Sequence, residues 1–275
     1  MGNLKLIPAE GDELSILSGG RKIGKARWEW QETEKNFLVS KIFLERENRT
    51  AQNLRLVVLN LAEMASKKFD AASMELRYVC KESLPPEQDD NYKMARLLFD
   101  SEPERQEYFR VFRVNTNPTV RQNHERLYTE ARLAREGFTF LKLSDCDEAT
   151  RQKILDLKKD GDKSSHWIPF DFPNRDENLT LIGFLHDEVC GWMIFEKLSE
   201  DESKCLYWYT LEKFRKNSAG LKLAGHFFRN VGEYGRHVQF VVYPNNEPVL
   251  KFHYKFFKGA IERVDVYYKL RIPLK

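Results

Sequence analysis

The sequence predicts an α/β (α+β) protein with two domains in tandem, each a mixed, mostly antiparallel sheet flanked by helices. In its second half, short runs of aromatic and β-branched residues alternate with amphipathic segments. Their order is hairpin, strand, polar loop, helix, strand, turn and helix. The first half repeats this plan, and two similar units in tandem are the simplest account of the repetition.

The second half begins with a strand and a helix of clear periodicity. Residues 138–143 predict a strand, and residues 147–159 predict a helix. Residues 179–185 and 189–195 flank a short polar turn and predict a β-hairpin. Residues 205–211 are rich in aromatics and short, which is typical of a buried strand.

A basic loop, residues 215–220, joins this strand to an amphipathic helix whose apolar stripe is Ala224, Phe227, Phe228 and Val231. A strand that leads through such a loop into a helix turns several backbone N–H groups toward one anion. The loop therefore indicates a pyrophosphate site and a phosphate-bearing cofactor. A strand-to-helix turn with a terminal glycine is also common as an ordinary connection.

The segments after this helix continue the alternation. Residues 238–242 predict the next buried strand, residues 243–248 a turn that contains Pro and Asn, and residues 249–257 a second amphipathic helix.

This series of elements resembles the Gcn5-related N-acetyltransferase (GNAT) superfamily over residues 138–275. In that family a loop of the form Gln/Arg-x-x-Gly-x-Gly/Ala binds the pyrophosphate of acetyl-coenzyme A. Arg215 and Gly220 match the first and last positions, and Ser218 replaces the middle glycine. Asn246 resembles the family asparagine that lies near the pantetheine arm.

The resemblance implies acetyl-CoA (acyl-CoA) as the cofactor. The residues that it implies for cofactor binding are Thr210, Leu211, Arg215, Lys216, Asn217, Ser218, Ala219, Gly220, Leu221 and Asn246.

The first half repeats the pattern with differences in the loop. Residues 21–30, 37–44 and 74–79 predict strands, and a helical stripe follows the second of them at Leu54, Val57, Val58 and Leu61. In the intervening loop Arg49 stands where the middle glycine belongs. Residues 91–99 echo the helix that follows Asn246.

The chain is predicted to divide into domains 1–118 and 119–275. The strand-like residues 108–114 are followed by the turn material of residues 115–118, and residues 119–136 predict a charged helix that we assign to the second domain. The first domain is interpreted as a scaffold or as one wall of the acceptor site.

The chemistry that the family implies is attack of an amine on a thioester, which needs a base, an acid and an oxyanion donor. The position of the family's catalytic Tyr, seven residues after Asn246, holds His253, whereas Leu98 occupies it in the first half. His253 and the neighbouring Tyr254 are the predicted catalytic residues, as candidates for the acid. His253 falls inside the apolar face of its helix, a position that also suits a core histidine.

The base and the oxyanion donor are less well defined by the sequence. Glu196 and Glu212 are candidates for the base, and each also fits a solvated carboxylate. The oxyanion donor is expected to be a backbone N–H beside Thr210 or Leu211.

Residues 161–178 combine aromatic and proline residues with polar ones. This composition suits a substrate-side loop, because specificity is often determined by loops, and it equally suits a surface loop fixed by its aromatic residues.

Composition limits the possible partners. The 275 residues contain 45 basic and 42 acidic side chains, a net charge of +3, which gives no strong signal for nucleic acid or membrane. Neither an apolar run of membrane-spanning length nor a signal peptide is evident, so a soluble, cytoplasmic protein is expected. The four cysteines have no metal-site spacing; no metal is predicted, and Cys190 and Cys205 are expected to be buried, reduced thiols.

The leading hypothesis is an acyl-CoA-dependent N-acyltransferase with its active site in the second half and an amine as acceptor, either a small molecule or a peptide. One alternative is a binding or scaffold protein that keeps the fold without turnover. Another is a transferase that draws its acyl group from aminoacyl-tRNA, against which the modest charge argues. The acceptor, the acyl chain length and the oligomeric state are not fixed by the sequence.

Overall fold

The computed structural model describes residues 4–85, 88, 105–116, 129–159 and 167–274, which form a mixed α/β structure. The strands in this part are β1 (Leu4–Pro8), β2 (Glu13–Ser18), β3 (Arg21–Gln31), β4 (Asn36–Leu44), β5 (Ser73–Lys81), β6 (Arg105–Asn115), β7 (Phe138–Lys142), β8 (Leu181–Leu185), β9 (Glu188–Lys197), β10 (Glu202–Thr210), β11 (His237–Val242) and β12 (Ile261–Pro273). The helices are α1 (Ala51–Phe69), α2 (Glu130–Arg135), α3 (Glu148–Lys159), α4 (Ala219–Arg229) and α5 (Glu247–Phe256).

The chain forms two compact units that do not follow a single cut in the sequence. The N-terminal unit comprises Met1–Arg110, Tyr243–Asn245 and Val264–Lys275, and the C-terminal unit comprises Val111–Val242 and Asn246–Arg263. β12 belongs to the N-terminal unit from Val264 onward, because its residues Asp265 to Pro273 pair with the whole of β5. Residues 117 and 118, where the division into domains 1–118 and 119–275 was predicted, lie outside the described residues.

The N-terminal unit is a sheet in the order β1-β2-β3-β4-β5-β12 with α1 packed on it. Neighbouring strands are antiparallel except β4 and β5, which are parallel. Val57, Val58 and Leu61 of the predicted stripe are buried in the core. Gly19 and Gly20 both have positive φ and form the tight turn between β2 and β3.

The C-terminal unit contains the order β11-β10-β9-β8-β7, with the end of β6 beside β11. β7 to β10 are antiparallel, whereas β10 and β11 are parallel. His186 and Asp187 have φ of 49° and 64° and form the turn of the predicted β8–β9 hairpin.

The two faces of β10 pack against different helices. Trp208 packs on Phe252 of α5, and Gly220 of α4 lies against Thr210. The alternate residue Tyr209 lies in the core cluster that includes Ile154 of α3. The helices α4 and α5 therefore cover one face of the C-terminal unit, and α3 covers the other.

Several elements differ from the sequence prediction. β1, β2 and β12 were not among the predicted strands, although β12 has the alternation of a half-buried strand. Of the helix predicted over 119–136, the structure describes α2, and the predicted helix over 91–99, with Leu98, lies outside the described residues.

In the part of the chain described above, no helix is long and apolar enough to cross a membrane. Cys190 and Cys205 are free and buried, and burial raises the pKa of the Cys190 thiol to about 12. Both therefore remain protonated thiols at neutral pH.

Candidate cofactor-binding site

Two glycines let α4 approach the sheet closely. A Cβ at Gly191 would overlap the carbonyl oxygen of Tyr209 and would lie 3.0 Å from Leu223 Cδ1, and a Cβ at Gly183 would lie 3.0 Å from Leu223 Cδ2. Because both positions lack a side chain, Leu223 packs directly on the backbone of β8 and β9. This contact fixes the start of α4 close to the end of β10.

The end of β10 has a pairing partner on one side only. β10 pairs with β11 from Glu202 to Cys205, and then continues to Thr210 beside β9 alone. A register shift between Cys205 and Tyr207 relative to β9 leaves Leu206 as an extra residue, a β-bulge. We call the opening between β10 and β11 beyond Cys205 the splay.

The backbone of β10 is directed into the splay at alternate residues. Leu211 N donates to Cys190 O at 3.0 Å, so Leu211 faces β9. Because successive residues of an antiparallel strand turn their N–H and C=O groups to opposite sides, Trp208 and Thr210 face the splay. The Leu211 N–H is therefore already used and is not an oxyanion donor, whereas the Thr210 N–H points to the open side.

The first turn of α4 lies at the mouth of the splay. Ser218 precedes the helix with a left-handed φ of 58°, and its side chain makes no capping hydrogen bond. Lys222 N donates to Ser218 O, so the N–H groups of the three residues before it have no acceptor within the helix. They are free to bind an anion, and the helix dipole favours one there.

Gly220 brings this first turn against the strand. A Cβ at Gly220 would lie 2.9 Å from Thr210 Oγ1, which is closer than side chains normally approach. The predicted cofactor loop is thus a narrow cradle between α4 and Thr210 that needs glycine at its narrowest point.

The cationic side chains of the loop are exposed, and Arg215 has structural contacts of its own. Arg215 Nε donates to Thr210 O at 3.3 Å, and its guanidinium carbon lies 5.8 Å from the centre of the Tyr209 ring. These contacts hold the guanidinium beside the end of β10. Lys216 and Asn217 are exposed in the same turn.

The two predicted catalytic residues point in different directions. The His253 side chain is buried among Phe112, Trp208 and Phe240, with 2% of the residue exposed. Burial lowers its pKa to about 4, so the ring is neutral at pH 7. Tyr254 is 38% exposed and packs edge-on against Phe112.

Hydrogen bonding determines which nitrogen of His253 carries the proton. Nδ1 lies 2.8 Å from Val249 O, and a carbonyl oxygen only accepts, so Nδ1 carries the proton. Nε2 is then an unprotonated acceptor, and it is buried without a hydrogen-bond partner. A ring in this state has no proton to donate from Nε2.

Of the remaining predicted residues, Ala219 is fully buried, whereas Leu221 and those that follow lie at or near the surface. Asn246 is exposed at the N-terminus of α5, Glu212 is exposed in the loop, and Glu196 is half-buried near the end of β9. In the predicted acceptor loop, Trp167 is 52% exposed and packs on Phe172.

Phe172 in turn stacks on Tyr207, on the face of β10 opposite Trp208. The structure thus brings part of the loop over β10. The sequence identified Trp208 only as a strand residue. A signal for the close approach of α4 was present at Gly191, because an isolated glycine in a strand indicates that another part of the chain approaches the backbone closely.

The N-terminal unit has a similar junction between a strand and a helix, β4 and α1, but there a side chain caps the helix. β4 pairs with β5 only from Asn36 to Val39, and a register shift against β3 leaves Ser40 as a bulge. There, however, the side chain of Thr50 accepts a hydrogen bond from Asn53 N at 3.2 Å and caps α1. One of the N–H groups in the first turn of α1 is thus already satisfied by a side chain.

The chain has the fold of tandem GNAT proteins. It superposes with a TM-score of 0.57 on a tandem GNAT protein from the clavulanic acid biosynthesis pathway, at 13% identity over 94% of this chain and 82% of that one. For a GCN5-related N-acetyltransferase from Sphaerobacter thermophilus the TM-score is 0.54, at 10% identity over 95% and 81%.

A GCN5-related glucosamine N-acetyltransferase region of a fungal multi-domain β-N-acetylglucosaminidase gives a TM-score of 0.54, at 10% identity over 94% of this chain and 32% of that one. No protein-family model and no curated protein sequence matches the chain. The expectation of a tandem GNAT fold is confirmed.

Proposed function

We propose that the protein is an acyl-CoA-dependent N-acyltransferase, and specifically an acetyltransferase, whose cofactor binds in the C-terminal unit. The observation that carries this proposal is the junction of three features: the one-sided end of β10, the uncapped first turn of α4 and the cradle at Gly220. Together they offer an extended chain a strand edge and offer its phosphates a helix N-terminus.

The residues present fit coenzyme A. The pyrophosphate would be held by the N–H groups of the first turn of α4, with Lys216 as a cation at the rim. The amides of the pantetheine arm match the backbone groups of Trp208 and Thr210 that face the splay. When bound, acyl-coenzyme A would supply an acyl group activated as a thioester.

Proton transfer in this proposal falls to Tyr254 rather than to His253. Tyr254 carries an O–H on the exposed side of α5, whereas the buried His253 ring is neutral and donates its one N–H proton, on Nδ1, to the Val249 carbonyl oxygen. His253 packs α5 on the sheet and so orients Tyr254 and Asn246. Glu196 and Glu212 remain the candidates to accept the amine proton. The Thr210 N–H and the Trp208 C=O bind the arm in this proposal, so the Trp208 N–H, which also faces the splay, is the candidate oxyanion donor.

The test is calorimetric titration of the full chain with acetyl-CoA. We expect about one site per chain, and in G220E a loss of at least about 100-fold in affinity, because the new carboxylate meets both Thr210 and the phosphates. Q52E, which adds the same charge to the first turn of α1, is the matched control and should bind as the wild type does. Equal affinity in all three proteins would refute a site at Gly220.

A second candidate function is acyl-CoA binding without turnover, and the burial of His253 favours it. The two functions are separated by following thiol release from acetyl-CoA across a panel of amines. Release that depends on the amine and falls about 10-fold or more in Y254F supports the transferase. Tight binding with no release for any amine supports the binding protein.

A further inference from the structure

Trp208 closes one side of the splay. It lies two residues before Thr210, on the same face of β10, and its indole packs edge-on against Phe252 with ring centres 5.4 Å apart. Its Nε1 lies 3.9 Å from the position of a Cβ at Gly220. The indole therefore extends from the cradle of α4 to the side chains of α5.

Behind Trp208 the packing is continuous. His253 lies 6.2 Å from the Trp208 ring, and Phe240 and Phe257 lie 5.4 Å and 5.1 Å from His253, all as distances between ring centres. His253 and Phe257 are buried. Because these rings touch one another, an acyl chain that reached Trp208 could extend further toward α5 only by displacing the indole.

If the pantetheine arm of coenzyme A enters at Gly220 and follows the open edge of β10, it passes Trp208 before the edge closes. The strands rejoin where Cys205 pairs with Phe240. From Thr210 to Cys205 the edge is about 17 Å long at ~3.3 Å per residue. An arm that follows this edge past Thr210 ends between Trp208 and Cys205, so the acyl group that it carries lies beside the wall formed by Trp208 and Phe252.

We propose that Trp208 is a specificity-determining residue that restricts the acyl donor to short chains such as acetyl. This inference rests on the proposed function, since it assumes that coenzyme A binds in the splay. An indole at this position fills the space that the methylenes of a longer acyl chain would need. Removing it would open a channel toward α5.

The experiment measures dissociation constants for free coenzyme A, acetyl-CoA and octanoyl-CoA with the full chain. The wild type should bind octanoyl-CoA at least about 30-fold more weakly than acetyl-CoA, and in W208A this ratio should fall to about 3-fold or less. Y207A is the matched control, because it removes an aromatic side chain from the opposite face of the same strand. Its ratio should equal that of the wild type.

Free coenzyme A has no acyl group, so its affinity reports the binding site alone, and the affinity for each acyl-CoA is expressed as a ratio to that for free coenzyme A in the same variant. Where W208A does not fold, W208L keeps an apolar side chain and still shortens the wall. Its ratio should fall between those of the wild type and W208A.

Three results overturn the inference while the proposed function stands. In the first, the wild type binds acetyl-CoA and octanoyl-CoA equally. In the second, W208A keeps the wild-type ratio of the two dissociation constants, and in the third, Y207A rather than W208A lowers that ratio. Failure of every protein to bind free coenzyme A removes the proposed function, and the inference with it.

Discussion

In both units a parallel strand pair separates early, a bulge follows the last paired residue and a helix begins beyond the strand end, yet the two helices begin in different ways. Thr50 caps α1 with its own side chain, whereas α4 begins after a left-handed Ser218 with no side-chain cap. The Thr50 hydroxyl thus takes up an N–H group in the first turn of α1, whereas no side chain caps the first turn of α4. The difference indicates that a shared fold does not imply a shared binding site.

The largest effect is expected at Gly24 and Gly191, two glycines at which the two units have the same close backbone contact. A Cβ at Gly24 would overlap the Phe43 carbonyl oxygen, just as one at Gly191 would overlap that of Tyr209. G24V and G191V should each destabilise the protein by about 4 kcal/mol, because backbone atoms cannot move aside cheaply. Chemical denaturation measures this, with G232V as the control, since a Cβ there meets nothing within 4 Å. A wild-type midpoint for either variant would contradict the equivalence of the two glycines.

The next largest effect is a loss of stability at low pH, which should differ between the two units. Burial lowers the pKa of both His226 and His253 to about 4, against 6.5 for the ordinary group. A depressed pKa means that the unfolded chain binds protons first, so the stability is fully present above pH ~6.5 and is lost as pH falls toward 4. Each histidine accounts for about 3 kcal/mol of this loss.

The N-terminal unit contains no histidine, so the loss falls on the C-terminal unit. Hydrogen exchange at pH 7.5 and pH 5, compared between α1 and α5, measures it. In H253Q the pH dependence of α5 should shrink by about half. Equal acid sensitivity of the two helices would show that the histidines do not control it.

A smaller effect distinguishes the two helix caps. T50A removes the bond to Asn53 N and should cost about 1 kcal/mol, whereas S218A removes no cap and should change stability by less than about 0.3 kcal/mol. Thermal melting of both variants without ligand is the measurement. A cost for S218A equal to that of T50A would mean that Ser218 caps α4 in solution.

The smallest effect concerns the residue at the middle position of each loop, and it should have opposite signs in the two units. Ser218 has φ of 58°, so S218G relieves a left-handed conformation and should stabilise by about 0.5–1 kcal/mol. Arg49 has φ of −79° and its guanidinium carbon lies 5.8 Å from the centre of the Phe43 ring, so R49G adds chain entropy to the unfolded state, removes that contact and should destabilise by a similar amount. Thermal melting of S218G and R49G is the measurement. Shifts of the melting temperature in the same direction would contradict the assignment of a left-handed conformation to Ser218 and not to Arg49.

The sequence predicts best what depends on neighbouring residues. The stripe at Val57, Val58 and Leu61, the β8–β9 turn at His186 and Asp187, and the strand before the cofactor loop all follow from local periodicity and turn chemistry. The same local logic placed His253 on an apolar face, but its depth of burial depends on Phe112 and Phe240, which come from distant parts of the chain.

What the sequence missed depends on pairing across long separations. No local pattern shows that Leu211 N–H is taken by Cys190 O, or that β10 and β11 part at Cys205. Nor does one show that β12 completes the sheet of the N-terminal unit, because strand partners are set by the packing of the whole sheet.

The pairing of β5 with β12 also has a consequence for synthesis. β5 ends at Lys81, and the ribosome reaches Asp265, its first partner in β12, only 184 residues later, since 265 − 81 = 184. At about 5–20 residues per second, this takes roughly 10–40 s. Throughout that time nascent β5 has no β12 beside it, so its edge is a site where chaperones, or another nascent chain, would bind first.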